Sequence, residues 1–236
     1  MTSNSVHNII EDKNAKVWVC EDPFNKRIRI DHYVGETQIV HRLISQLQPD
    51  WMEKLIIKSR TVDVPYFLSH GLECEGYVDG YFRGDGMFFL VKYFTEQRRS
   101  NVAWEQAEKI MSGIKTSTAV SIIGNRDIKT AQEADAERLS IIFREIFEVY
   151  PTPLTEADDI IAKMKADTVF VFIEEGGQVV SVASAEINRM HGNAELTDCA
   201  TLPSHRQKGN MVALLIRLQD LLVAEKIRCH YSLARA

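Results

Sequence analysis

The sequence predicts an α/β protein with a mixed sheet, and three observations support this fold class. In the C-terminal half, two amphipathic helices precede three strands, a long helix and a further strand, in the order α-α-β-β-β-α-β. In the N-terminal half, short strands also alternate with short helices. With 236 residues, of which 45% are hydrophobic and 26% charged, the chain is long enough for one large domain or two modest ones with a full core.

Apolar residues at period two predict strands in the N-terminal half, and apolar residues at helical spacing predict helices. The predicted strands are Ile28–Tyr33, Lys54–Ser59 and a hairpin of Tyr77–Phe82 with Gly86–Phe94. The predicted helices are Thr37–Leu47, Val64–His70 and Ala103–Met111. A polar segment follows, with one predicted strand at Ala119–Ile123, and we expect two domains, 1–115 and 116–236.

In the C-terminal half, the residues that begin and end helices and strands are easier to recognise. Acidic residues begin the helix Glu133–Tyr150, prolines end it, and Thr155 is predicted to cap a second helix that reaches about Met164. The later predicted elements are the strands Thr168–Ile173, Gln178–Asn188 and Ala194–Leu202, the helix Val212–Lys226 and the strand Ile227–Tyr231. This order places the long helix directly after a strand and a short basic turn.

Composition excludes several classes of protein. The net charge of -5 argues against nucleic-acid binding, which usually needs a basic face. No apolar run approaches the ~18 residues of a membrane helix, and the first residues lack a signal peptide's basic and apolar regions. The four cysteines show no CxxC spacing, which favours reduced thiols and no metal site. We therefore expect a cytoplasmic protein without a nucleic-acid or membrane partner.

The turn Arg206–Met211 is the strongest functional signal. Its sequence, Arg-Gln-Lys-Gly-Asn-Met, lies between a strand and the start of the long helix. Backbone N–H groups at a helix start lack intrahelical acceptors, and the helix dipole adds partial positive charge there. The turn is therefore a predicted anion site, suited to a phosphate or pyrophosphate.

This hexapeptide resembles the Arg/Gln-x-x-Gly-x-Gly/Ala loop of the GCN5-related N-acetyltransferases, the GNAT superfamily, and the order of elements around it is similar to theirs. The resemblance implies that acetyl-CoA is the co-substrate. It implies pyrophosphate binding by Arg206, Gln207, Lys208, Gly209, Asn210 and Met211. It also implies that backbone groups of the preceding strand pair with the pantetheine arm, at Cys199, Ala200 and Thr201. Met211 departs from the usual Gly or Ala, and we expect it to narrow the approach of the phosphates.

Glu195 is the first candidate for the general base. It lies eleven residues before Arg206, the spacing at which several histone-type members of the superfamily carry their base. An alkylamine has a pKa of about 10.4, so only roughly one molecule in 2,500 is neutral at pH 7 and a base must accept the proton. Asp198 is the second candidate, although on a regular strand it faces the opposite side unless a bulge intervenes. Glu186 and His191 are further alternatives.

Two other residues have alternative interpretations. Tyr231 is a candidate for the acid that protonates the departing thiolate, a role that Tyr commonly fills in the superfamily, although a core tyrosine would also suit its position at a strand end. Cys199 could carry an acyl group, but a small buried hydrophobe is the simpler interpretation.

The whole chain is also similar to the β-lysine N-acetyltransferases of methanogenic archaea and some bacteria. The residues that carry this resemblance are Glu195–Gly209, Tyr231–Ala236 and Asp63–Tyr81. It implies acetylation of the ε-amine of β-lysine, which yields the compatible solute Nε-acetyl-β-lysine. A GNAT enzyme for another amino acid, a polyamine or a protein lysine is the alternative, as is a non-catalytic module that binds acyl-CoA.

The same resemblance leads to an expectation for each end of the chain. Members of the family continue with a helix and two strands beyond the point where this chain stops, so we expect a GNAT domain that lacks its last elements. In the N-terminal half, Leu55–Lys58, Phe67–Tyr77 and Gly86–Phe94 resemble the superfamily's closing strand–helix–strand–strand section. The N-terminal domain is therefore predicted to be a degenerate GNAT-like half, with an unrelated α/β cap as the alternative.

Overall fold

The computed structural model describes residues 5–99, 103–113, 126–147 and 154–233. The chain divides into two compact units, Met1–Lys109 and Ile110–Ala236, each with its own sheet and its own apolar core. The predicted domain boundary after residue 115 and the predicted strand Ala119–Ile123 lie outside the described residues.

The N-terminal unit is built on a six-stranded sheet. Its strands are β1 (Val6–Glu11), β2 (Ala15–Asp22), β3 (Arg27–Gly35), β4 (Lys54–Arg60), β5 (Glu73–Phe82) and β6 (Asp85–Tyr93). They lie in the order β1-β2-β3-β4-β6-β5, in which β3 and β4 are parallel neighbours. The helices in this part of the chain are α1 (Thr37–Ile44), α2 (Val64–Ser69), α3 (Glu96–Arg99) and α4 (Ala103–Gly113).

The predicted strands and helices of this half are confirmed, but the first hairpin was missed. The strand β1 is exposed on both faces and therefore has no apolar period that would reveal it. The strand β2 is largely buried along its whole length, so its pattern does not alternate cleanly either. The short helix α3 was also missed, because its four residues are all polar or charged.

The C-terminal unit is built on a five-stranded sheet of order β11-β10-β9-β8-β7. Its strands are β7 (Ile128–Thr130), β8 (Thr168–Glu175), β9 (Gln178–Asn188), β10 (Asn193–Thr201) and β11 (Cys229–Tyr231). Its helices are α5 (Ala136–Ile146), α6 (Ala157–Lys165) and α7 (Asn210–Ala224). Only β10 and β11 run parallel among these strands, because α7 connects them as a crossover. The predicted mixed α/β class is confirmed.

The core of this unit forms as the apolar spacing predicts. Leu139, Ile142 and Phe143 recur on one face of α5 and are buried, and Leu214 and Leu218 do the same on α7. Each such side chain contributes about 1.5–3 kcal/mol when it is fully buried. The central strand β9 is almost wholly buried, which shows that both faces of the sheet are covered.

Some predicted element ends are wrong. The helix α6 is capped at Glu156 without a side-chain hydrogen bond, so Thr155 is not its N-cap. The helix α7 begins at Asn210, two residues earlier than predicted, because Gly209 takes a left-handed conformation and starts the helix. None of the described helices has the length and hydropathy that crossing a bilayer requires.

Candidate active site

A bulge in β10 shapes the site. Between Thr197 and Ala200, the residues Asp198 and Cys199 oppose a single residue of β9, and Asp198 has a left-handed φ of 49°. Before the bulge, β10 pairs with β11 at Asn193, Ala194 and Glu195. Beyond Glu195, no described strand pairs with β10 on that side. This leaves an open edge, to which an extended chain can add as a strand.

The open edge includes the three residues that we predicted to contact pantetheine. Ala200 and Thr201 pair with β9 on one side only, and Cys199 is the second residue of the bulge. The backbone groups that point away from β9 are therefore positioned to bind an extended ligand, although the Thr201 carbonyl already accepts from Arg206 Nε. The edge thus has the geometry that the predicted pantetheine contact requires.

Glu195 and Tyr231 lie side by side at the start of this open edge. They are direct partners in the parallel pairing of β10 with β11, and the Tyr231 hydroxyl donates a hydrogen bond of 3.3 Å to Glu195 Oε2. Both side chains are half-buried. On the opposite side, Glu195 faces Glu186 of β9. The structure therefore brings together the first candidate base and the candidate acid.

The bulge turns Asp198 to the same face as Glu195. Ser184 and Glu186 share a face of β9 because they are two residues apart. Glu186 lies opposite Glu195, which places Glu195 on that face. The Ser184 hydroxyl donates to Asp198 Oδ2 at 2.7 Å, which places Asp198 there as well. The Asp198 side chain is 1% exposed and forms an ion pair of 2.9 Å with Lys163 of α6. The expectation that a bulge is needed to align these two carboxylates is confirmed.

Lys163 was not identified from the sequence, although it lies at the centre of this network. Its ammonium contacts Glu186 at 2.6 Å as well as Asp198. Burial alone would lower the pKa of Lys163, but the two carboxylates outweigh that effect and hold its pKa above the usual value. A lysine in the last turn of a helix is common for reasons of helix dipole alone, so no local signal marked it.

Two alternatives from the sequence can now be placed. Burial of the Cys199 thiol and the neighbouring Asp198 carboxylate raise the pKa of Cys199 to about 11, although the residue as a whole is exposed. A thiol with that pKa is almost entirely protonated at pH 7, which disfavours a nucleophilic role. His191 is buried in the turn before β10, where its backbone N–H donates to the Asn188 side chain.

The basic turn has the geometry of an anion site. After β10 the chain forms a 3-10 turn at Pro203–His205, and both Gln207 and Gly209 then take positive φ angles, of 60° and 77°. In the part of the chain that the structure describes, the N–H groups of Gln207, Lys208 and Gly209 have no hydrogen-bond acceptor. They precede the 15-residue helix α7, whose dipole favours an anion at this end.

Arg126 stabilises this turn from a distant part of the sequence. Its guanidinium donates to Asn210 Oδ1 at 2.9 Å and also to the carbonyl oxygen of Lys208. The Asn210 amide in turn donates to the His205 carbonyl at 3.3 Å. Arg206 Nε donates to the carbonyl of Thr201, the last residue of β10, at 3.2 Å. The turn is therefore held on both sides while its N–H groups remain available to a ligand.

Met211 does not lie where we expected. Its side chain is half-buried and packs against the apolar core of the unit. The side chain is therefore directed toward the core, so the expected narrowing of the phosphate approach is wrong.

One group of three possible metal ligands occurs among the described residues, in the N-terminal unit. His7, Cys20 and Asp31 offer ligand atoms within 4.8 Å of one another, because strand pairing places His7 opposite Cys20. The Asp31 carboxylate, however, already contacts Arg29 at 2.5 Å and Lys58 at 3.2 Å. A metal ion would compete with these two cations, so the group does not fit a metal centre.

Sequence comparison identifies the family. A family model described as "Acetyltransferase (GNAT) family" matches residues 136–235. N-acetyltransferase YodP of Bacillus subtilis is 31% identical over 219 residues, which cover 91% of this chain and 80% of the relative. The chain belongs to the GNAT acetyltransferase family. It is therefore an N-acetyltransferase, and GNAT acetyltransferases use acetyl-CoA as the acetyl donor.

Two further relatives are named Beta-lysine N(6)-acetyltransferase. The protein of Methanococcus maripaludis is 25% identical over 230 residues, which cover 96% of this chain and 80% of the relative. The protein of Methanosarcina mazei is 38% identical over 109 residues, which cover 46% of this chain and 40% of the relative. The predicted membership of the GNAT superfamily and the predicted similarity to these acetyltransferases are thus confirmed.

Proposed function

We propose that this GNAT enzyme transfers the acetyl group of acetyl-CoA to the ε-amine of β-lysine and so makes Nε-acetyl-β-lysine. The observation that carries the proposal is the contact of Glu195 with Tyr231 at the start of the open edge of β10. The two relatives named as β-lysine acetyltransferases support the choice of acceptor. The product is a zwitterionic compatible solute, and the use of acetyl-CoA with reduced thiols suits the cytoplasm.

The donor would bind along β10 and the turn that follows it. The free N–H groups of Gln207, Lys208 and Gly209 would bind the pyrophosphate, with the basic side chain of Arg206 beside them. The pantetheine arm would add to the open edge of β10 as a further strand, from Cys199 to Thr201. This placement directs the thioester toward the start of the open edge, where Glu195 lies.

The reaction needs two protons to leave the ammonium nitrogen and one to reach the sulfur. Glu195 would accept the proton of the ammonium, and the neutral nitrogen would attack the thioester carbonyl. As the C–N bond forms and the C–S bond breaks, Tyr231 would protonate the departing thiolate. Since the Tyr231 hydroxyl contacts Glu195, the phenolate could then recover a proton from the Glu195 carboxyl group. The second proton of the attacking nitrogen would leave to solvent, so the net result moves one proton from the ammonium to coenzyme A and releases one.

The arrangement of carboxylates favours a cationic acceptor. Glu195 and Glu186 lie opposite each other on neighbouring strands, where like charges repel unless a cation lies near them. Lys163 contacts Glu186, and an ammonium group of the acceptor would pair with Glu195. We assign the base to Glu195 in preference to Asp198, because Asp198 is buried against Lys163.

An acceptor panel tests the proposal. Release of coenzyme A thiol would be measured with acetyl-CoA and either β-lysine, α-lysine, spermidine or a lysine-containing peptide. We expect the highest kcat/KM with β-lysine, and mass spectrometry should find the new acetyl group on its ε-nitrogen. Turnover of spermidine without turnover of β-lysine would contradict the β-lysine assignment while leaving acetyl transfer intact.

The second candidate function is acetylation of a different small amine. Glu195 would attract any alkylammonium group while Glu186 pairs with Lys163, so the same geometry accommodates another diamine or amino acid. The panel separates the two possibilities, because an enzyme for another amine would prefer one of the other acceptors. Failure of the wild-type chain to bind acetyl-CoA in calorimetry would contradict both.

A further inference from the structure

We propose that the ion pair between Lys163 and Asp198 is a positioning device that holds the bulge of β10 in register for acetyl-CoA. This inference rests on the proposed function, and it gives Asp198 a role other than that of the base. Three features of the structure support it: the conformation of the bulge, the burial of the pair and the place of the bulge along β10.

The bulge is an unfavourable conformation that needs a stabilising contact. Asp198 takes a φ of 49°, which residues with a Cβ atom adopt only at a cost, although Asp and Asn tolerate it best. Cys199 follows it as the second residue opposite β9. Without a specific interaction, a regular strand would be preferred here.

The ion pair provides that interaction from two neighbouring elements. Lys163 Nζ and Ser184 Oγ both donate to the same atom, Asp198 Oδ2, at 2.9 and 2.7 Å. The side chain of Lys163 is 15% exposed and that of Asp198 is 1% exposed, so solvent screens the pair little. The carboxylate can reach both donors only while the bulge turns it toward α6.

The bulge determines which backbone groups the open edge presents. It lies between the last residue paired with β11, Glu195, and the residues Ala200 and Thr201. If the bulge relaxed, the strand beyond it would slip by one residue, and each side chain and each N–H group there would exchange sides. Loss of the ion pair should therefore weaken binding of the pantetheine arm.

The test compares the variants Asp198→Asn, Lys163→Met and the double variant. Asn tolerates a left-handed φ and can still accept a hydrogen bond from Ser184, so this change removes the charge with little effect on shape. Lys165→Met, on the same helix with a side chain that is 66% exposed, is the matched control. Calorimetry would measure the affinity for acetyl-CoA, and thiol release would measure kcat and its pH profile. Unfolding in urea would measure the stability of each variant.

We expect each single variant to weaken acetyl-CoA binding at least fivefold, while the control changes it less than twofold. The kcat at saturating acetyl-CoA should keep its pH profile, since the base is untouched. A tenfold loss of kcat in Asp198→Asn together with loss of the acidic limb of the profile would show that Asp198 is the base. Unchanged affinity in folded variants would also overturn the proposal.

The stability measurements separate this inference from the proposed function. The shift of the urea midpoint in the double variant should be smaller than the sum of the single shifts, because the second change removes a charge already left unpaired. Additive shifts would overturn the ion pair as a coupled unit, even if the enzyme acts as proposed. Absence of acetyl-CoA binding in the wild type would overturn the proposed function instead.

We infer independently that the N-terminal unit repeats the strand–bulge–helix–strand arrangement of the C-terminal unit, with its cleft filled. In both units an antiparallel pair carries a bulge on its second strand, at Asp31 in β3 and at Asp198 in β10. In both, a helix then leads to a parallel strand that pairs only before the bulge. In β3 this pairing covers Arg27–Ile30, and in β10 it covers Asn193–Glu195.

Side chains occupy the gap between β3 and β4 beyond the bulge. The Tyr33 hydroxyl lies 3.4 Å from the buried Ser59 hydroxyl, accepts from the N–H of Arg60 at 3.4 Å and donates to Asp63 at 2.7 Å. Tyr33 is itself buried. Where β10 presents an open edge, the equivalent part of β3 is therefore already occupied.

The N-terminal unit also lacks the anion-binding turn. Only Glu36 separates the end of β3 from the start of α1, whereas residues 202–209 separate β10 from α7. The unit therefore provides neither the edge nor the turn that acyl-CoA would need. This supports a degenerate GNAT-like half, and we expect one acyl-CoA site per chain.

Calorimetric titration with acetyl-CoA tests this count. We expect a stoichiometry of one per chain, and the paired change Arg206→Ala with Lys208→Ala should weaken that single isotherm at least tenfold. A stoichiometry of two, or a residual full-affinity isotherm in the paired variant, would show that the N-terminal unit binds acyl-CoA. A stoichiometry of zero would overturn the count as well.

Discussion

Replacing Glu195 by Gln removes the proposed base with the smallest change in structure. The amide has the same shape, and its oxygen can still accept the hydrogen bond that Tyr231 donates at 3.3 Å. Exchange of a charged for a neutral acceptor weakens such a contact by about 1 kcal/mol. We therefore expect the variant to fold, with little change in its melting temperature and in its affinity for acetyl-CoA.

The expected loss of activity follows from the protonation state of the acceptor. With a pKa of about 10.4, roughly one alkylamine in 2,500 is neutral at pH 7, so the greatest loss is about 2,500-fold, or ~4.6 kcal/mol. General bases contribute typically 10²–10⁴-fold. We expect kcat to fall at least tenfold, and the activity of the variant to rise about tenfold per pH unit until the amine titrates.

Thiol release between pH 6 and 10 measures this effect, with calorimetry for acetyl-CoA affinity. Glu137→Gln on α5, whose side chain is 66% exposed, is the matched control and should retain wild-type rates. Equal losses of turnover and of acetyl-CoA affinity in the Glu195 variant would indicate a structural role. A pH dependence identical to that of the wild type would refute the assignment of the base.

Three further changes test other parts of the structure. Gly209→Ala should lower stability by about 1 kcal/mol, because φ is 77° there, and should also weaken acetyl-CoA binding at least tenfold. Gly177→Ala, at a φ of 84° in a turn, should lower stability but leave acetyl-CoA binding unchanged. Thermal melts would measure the stability and calorimetry the binding. Arg126→Gln should raise the Kd for acetyl-CoA about tenfold, since it loosens the proposed anion-binding turn. Arg144→Gln also removes a hydrogen bond to a backbone carbonyl but should not change the Kd. The pKa of Asp31 is lowered to about 2: its burial opposes the shift, but the cations Lys58 and Arg29 outweigh it. Because this folded-state pKa lies below the unfolded value of 3.8, Asp31 contributes at most about 2 kcal/mol that is present above pH 4 and lost between pH 4 and 2. In urea unfolding, Asp31→Asn should therefore lose less stability than the wild type over that window.

Most elements of the fold could be predicted because their apolar residues follow a local period. The strands β8 and β9 and the helix α7 each have such a pattern, and all three are confirmed within a few residues. The strand β1 could not be predicted, since its residues are exposed and it is stabilised by pairing with β2. The cap of α6 was also wrong, because several polar residues precede that helix and the sequence does not distinguish among them.

Sequence alone determined the family and the place of the proposed anion-binding turn, because the motif from Arg206 to Met211 is contiguous and its neighbours have regular periods. The tertiary structure decided which side chains meet. Tyr231 contacts Glu195 across 36 positions, Lys163 contacts Asp198 across 35, and Arg126 contacts Asn210 across 84. Such contacts depend on strand order, on the bulge and on crossover connections, none of which leaves a local signal in the chain.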